Sequence, residues 1–147
     1  MLVLFVGSNP GTKSPDNRAF HPESRSRKTL DLWVKDLDVE CAYVNVCDFK
    51  TPNNRPLRSI EVRDAVDSLV RKIHAHPSAK VIAVGATAKL ALQTAGIKDY
   101  HSVPHPSGRT RQLNDPEFVR QTVNALISFI KGYNNDAGDA MNCKTSR

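Results

Sequence analysis

Cysteine is scarce in this chain: Cys41, Cys47 and Cys143 are its only three among 147 residues. An odd, scattered set excludes a disulfide framework. No C-x-x-C pair and no Cys/His cluster has zinc-like spacing, so no metal site is expected. The thiols read as buried or free in a reducing compartment. Long apolar runs are missing too. Nothing approaches the roughly 20 residues of a membrane-spanning helix, so no membrane partner is expected. Leu2-Val3-Leu4-Phe5-Val6 follows the first Met with no basic stretch before it, which argues against a secretory signal. The expected setting is cytoplasmic, nucleoid-associated or nuclear, and not secreted. Internal repeats are absent.

Acidic residues are in the minority: 15 Asp and Glu against 21 Lys and Arg, a net charge of +6. A basic balance favours polyanionic partners and speeds encounter with them. Otherwise the composition, 39% hydrophobic and 24% charged, is that of one globular domain.

Leu2 to Val6 is a short continuous apolar run, as in strands buried on both faces; Ala42 to Val46 reads as a second buried strand and Lys80 to Val84 as a third. Tyr100 to Val103 reads as a short fourth strand. Between them, apolar residues recur at helical spacing. Leu30, Trp33, Val34 and Leu37 form one stripe. Val62, Val66, Leu69, Val70 and Ile73 form another, with Ser59 as its cap and His76-Pro77 at its end. A short helix follows Gly85 through Ala86, Leu90 and Leu92, stopped by Gly96. A last helix is capped at Asn114 or Asp115, with Pro116 in its first turn. Its apolar face is Phe118, Val119, Val123, Leu126, Ile127 and Ile130. Alternating strands and helices predict an α/β fold, a three-layer αβα sandwich around a four-stranded parallel sheet. Residues 1–132 form the domain. Residues 133–147 read as a polar, flexible tail.

In such sheets function collects in loops beyond the carboxyl ends of the strands. Two loops qualify. Gly7-Ser8-Asn9-Pro10-Gly11 can turn tightly and approach a ligand; taken alone it could equally be a plain strand-to-helix turn. No G-K-[ST] follows, which excludes a P-loop. His105-Pro106-Ser107-Gly108-Arg109-Thr110-Arg111 offers an imidazole, a hydroxyl, free amides and two guanidiniums. That set suits an anionic ligand, or a solvated basic loop.

Together the two loops resemble the signature pair of the uracil-DNA glycosylase superfamily. The similarity continues in order between them. Ala19-Phe20 before an amphipathic helix, Tyr43-Val44-Asn45-Val46 with Asn53-Asn54-Arg55-Pro56, and Val81 to Ala88 look like segments of the thermostable four-cysteine branch. The four cluster-binding cysteines of that branch are lacking, so no iron–sulfur cluster and no other cofactor is expected. Asn9 in place of Asp looks like the mismatch-specific uracil/thymine branch, which usually has Asn-Pro-Ser where this chain has His105.

The resemblance implies hydrolysis of the bond between a base and deoxyribose, after the base has left the stack. Asn9 would orient the attacking water, and His105 would donate a hydrogen bond to the departing base. Ser8, Phe20 and Asn45 would hold the base, Phe20 by stacking and Asn45 through its amide. Ser107, Gly108, Arg109 and Arg111 would grip the DNA, one Arg filling the gap or pairing with phosphate. The partner would be DNA carrying a flipped pyrimidine, bound by a monomer. No Lys lies in the first motif, so lyase chemistry is not expected. A non-catalytic nucleic-acid-binding module and a nucleoside or nucleotide hydrolase are the competing readings. His21 has two readings, a contact to the base or the sugar and, the one favoured, a solvent-facing loop residue; His74, His76 and His101 receive no role.

Overall fold

The computed structural model describes residues 1–107 and 110–132, and the backbone of 136–140 and 142–145. It divides into two compact units, residues 1–110 and 111–147.

The first unit is built on four parallel strands: β1 (Leu2–Gly7), β2 (Glu40–Asn45), β3 (Lys80–Val84) and β4 (His101–Val103), in the order β2-β1-β3-β4. Central β1 has neighbours on both sides. Its Val3, Leu4, Phe5 and Val6 are fully buried, as its unbroken apolar run requires. Each such side chain contributes about 1.5–3 kcal/mol of burial before entropy is counted.

Helix α1 (Arg25–Trp33) joins β1 to β2. Helices α2 (Ser59–Asp64) and α3 (Val66–His74) join β2 to β3, and α4 (Ala86–Thr94) joins β3 to β4. The first crossover moves in one direction along the sheet and the others in the opposite one. Right-handed connections therefore send α1 to one face and α2, α3 and α4 to the other. The packing agrees. Val62, Leu69, Ile73, Ala88, Ala91 and Leu92 form one cluster with Leu4, Val6, Val81 and Ala83. On the other face Arg27 of α1 lies over Tyr43, which stacks on Phe5. The α/β class, the parallel sheet and its three layers are those the sequence predicts.

Local details differ from the sequence reading. Ser24 caps α1, its hydroxyl accepting from the Arg27 N–H, and the helix stops before Leu37. The single helix expected from Ser59 is broken at Ala65, and Ser59 lies inside its first turn. There the Glu61 carboxylate accepts from the Arg58 N–H at 2.7 Å. Leu90 of α4 is exposed; Ala88, Ala91 and Leu92 carry the burial. Small residues pack there because the helix lies close to the sheet.

The second unit holds a 3₁₀ turn (Arg111–Asn114) and helix α5 (Pro116–Lys131). Asp115 caps α5 and Pro116 opens it, while Gly132 ends it with φ +79°. Leu126 and Ile130 are its buried residues; Phe118, Val119, Val123 and Ile127 are half-buried. Beyond Gly132, strand β5 (Asp136–Ala140) pairs antiparallel with β6 (Asn142–Thr145), in the stretch whose sequence reads as a polar tail. Among the described residues no helix is long and apolar enough to cross a membrane.

Candidate active site

The strand order reverses between β1 and β3, which opens a crevice beyond their carboxyl ends. A cleft of about 580 Å³ lies there. Ser8, Asn9, Phe20, Asn45, His105 and Ser107, drawn from three separated stretches of chain, all line it. The ladder holding these loops runs past the strands. Val46 N–H donates to Gly7 O and Cys47 N–H to Ser8 O, both at 2.9 Å. On the other side Gly85 N–H donates to Val103 O at 2.9 Å.

Two glycines make the cleft possible. A Cβ at Gly7 would stand 2.7 Å from both Asn45 Oδ1 and the Phe20 ring. No side chain fits there without displacing the very groups that line the cleft. Gly85 has φ +92°, and a Cβ would meet His105 Cβ at 3.3 Å. Gly85 thus seats His105.

The Asn9 amide is oriented by its neighbours. Its Nδ2 donates to Phe49 O at 3.1 Å and to Thr51 Oγ1 at 3.4 Å. Thr51 is buried and donates onward to Arg55 O at 2.6 Å. Ser8 Oγ donates to Asn9 Oδ1 at 3.1 Å. The nitrogen is thereby committed to the 48–56 loop. The oxygen keeps capacity to accept from a further donor, such as water. Sequence reasoning missed Thr51; a threonine in a polar loop carries no signal until the fold brings it to Asn9.

Asn45 ends β2 and is 4% exposed. Its Nδ2 is buried with no hydrogen-bond partner among the described residues. An orphan buried donor costs about 1–3 kcal/mol, so its presence calls for an explanation. Phe20 has φ +49°, a conformation that is strained for an aromatic residue. Its carbonyl accepts from Arg27 Nη1 at 3.2 Å, and its ring stands 6.0 Å from Tyr43 and 6.3 Å from His105. Behind it, burial and then the hydrogen bond to Asp31 push the Tyr43 hydroxyl well above its ordinary pKa. It stays a neutral donor to Asp31, whose carboxylate also pairs with Arg27.

His105 is half-buried, and desolvation lowers its pKa from 6.5, favouring the neutral ring. Its carbonyl accepts from Ser107 N–H at 2.8 Å and from Thr110 Oγ1 at 2.7 Å, which folds the loop back on itself.

Gly108 and Arg109 lie outside the described residues. Arg111 is an exposed residue at the start of the second unit's 3₁₀ turn. His21 departs from the solvent-facing reading: its side chain is only 13% exposed and lines the cleft. The turn after Phe20 carries it inward. Among the described residues no three His, Cys, Asp or Glu side chains group as a metal site.

A family model described as the uracil DNA glycosylase superfamily matches residues 2–127. No curated protein matches the chain at a significant level.

Proposed function

The chain belongs to the uracil DNA glycosylase superfamily, and from that premise we propose that it is a monofunctional DNA glycosylase releasing uracil or a related damaged or modified pyrimidine. The observation that carries this reading is the buried Asn45 amide in the cleft, without a partner among the described residues, next to the ring of Phe20. A flat base with polar edges would satisfy the amide and cover the ring. It stacks on Phe20 and accepts from Asn45, as asparagine pairs with base edges elsewhere.

In the reaction the bond between deoxyribose C1′ and the base nitrogen breaks. Its electron pair leaves with the base, and the sugar becomes cation-like. A water oxygen bonds to C1′, and its proton passes to solvent or to the departing base. Asn9 Oδ1 accepts from that water and fixes its position. An amide takes no proton, so its contribution is orientation. His105, held neutral by burial, donates to a base oxygen as negative charge develops there.

The test is a panel of single- and double-stranded oligonucleotides, each with one altered base, scored for free base by mass. Release of uracil or another pyrimidine is expected, with strand scission only after alkali. No release from any substrate overturns the reading. Lys13 also borders the cleft, so scission without alkali overturns its monofunctional part. Asn9→Ala is expected to abolish turnover while leaving DNA affinity within about threefold; retained turnover removes Asn9 from the mechanism.

A further inference from the structure

Phe20 and His21 are consecutive, line the same cleft and are clamped together. The Phe20 carbonyl accepts from Arg27 Nη1 at 3.2 Å, and the His21 carbonyl accepts from Ser24 N–H at 2.8 Å. Phe20 has a left-handed φ, and both its ring and the His21 ring that follows line the cleft. Backbone strain that aims two rings at one cavity is the pattern expected where geometry serves a ligand.

The His21 ring has a defined tautomer. Nδ1 accepts from Glu23 N–H at 3.1 Å, so the ring proton sits on Nε2. Asp16 Oδ2 lies 4.0 Å from Nε2, too far for a hydrogen bond. That carboxylate is already engaged, by Arg18 Nε at 2.8 Å and by the Arg18 N–H at 3.0 Å. Among the described residues the Nε2–H has no acceptor within hydrogen-bonding distance.

We infer that His21 is a positioning residue for the flipped nucleotide, donating from Nε2–H to an oxygen of the base or of its sugar–phosphate. The inference rests on the proposed nucleotide-binding role of the cleft. It adds a donor that the two signature loops do not contain. Asn45 and His105 come from the ends of β2 and β4; His21 comes from the stretch ahead of α1.

Two substitutions separate donation from a merely structural role. Asn at this position can keep the Nδ1-type acceptor for the Glu23 N–H but has nothing at Nε2. Gln can place an amide N–H near Nε2 but loses the Nδ1-type acceptor. Affinity is measured for oligonucleotides carrying 2′-fluoro-2′-deoxyuridine, whose glycosidic bond resists cleavage, and turnover is measured on the substrate released by wild type. His21→Asn is expected to lose about tenfold in affinity, as for one lost hydrogen bond, with His21→Gln within about threefold of wild type. Equal loss in both variants, or retention in Asn with loss in Gln, overturns the inference. A second arm uses a tetrahydrofuran abasic site. Loss that persists there assigns the acceptor to the sugar–phosphate, and loss confined to fluorouridine assigns it to the base; either supports donation. If wild type binds the fluorinated oligonucleotide yet releases no base from any DNA, the glycosylase reading fails while His21 is still judged by affinity. If wild type binds neither oligonucleotide, both fail.

Discussion

Asn45 sits where a leucine would pack without an orphan donor. Its side chain is buried and its Nδ2 unpartnered. The expected result for Asn45→Leu is therefore a split. Stability is unchanged or raised by up to about 1–3 kcal/mol, because a desolvated donor is removed. Base release falls by about tenfold or more, because the base edge loses its reader. Thermal melts and single-turnover assays check the two halves, and a large loss of stability would refute the account of the cleft. His105 bears on pH. Burial lowers its pKa below 6.5, so the neutral donor dominates at neutral pH. Turnover should be flat above the ordinary histidine range and fall as pH drops through the lowered pKa. His105→Gln should remove that limb. Stability follows the same sign. Between 6.5 and the lowered value the unfolded chain binds the extra proton, so lowering the pH through that window destabilises the fold.

At the scale of elements, α1 does more than cover the sheet. Arg27 lies 3.9 Å over the Tyr43 ring, pairs with Asp31 and donates to the Phe20 carbonyl. One guanidinium thereby links the helix, β2 and the strained turn. A lysine cannot make all three contacts. Arg27→Lys is expected to cost about 1 kcal/mol of stability, the scale of a partly exposed cation–π and ion pair. Its larger effect should be a raised KM with kcat little changed, since Phe20 would lose its hold while the water site stands. Urea melts with steady-state kinetics check this. Such links were only partly legible in the sequence. The periodicity of Leu30, Trp33 and Val34 identified the helix, because burial acts on one face. Nothing in the spacing of Arg27, Asp31 and Tyr43 showed that they meet. The break at Ala65 was hidden for a related reason: the apolar stripe runs straight through it.

For the whole molecule, the net charge of +6 and the position of the cleft bear on DNA. Neutralising phosphates releases counterions, so affinity should fall linearly on a log–log plot against salt. Fluorescence anisotropy with an oligonucleotide between about 50 and 200 mM salt measures the slope. An affinity independent of salt would argue that the cleft takes a nucleoside in place of DNA.

The sequence alone determined the four strands of the parallel sheet, most helices and the two loops, because burial and turn formation act over a few neighbouring residues. It also singled out Asn9, Phe20, Asn45 and His105 through family resemblance. Only the tertiary structure decided that these loops share one cleft, at the point where strand order reverses. It alone placed Thr51 behind Asn9, left the Asn45 amide unpartnered and turned His21 inward. Those features arise from register and from contacts between distant segments, which no local pattern encodes.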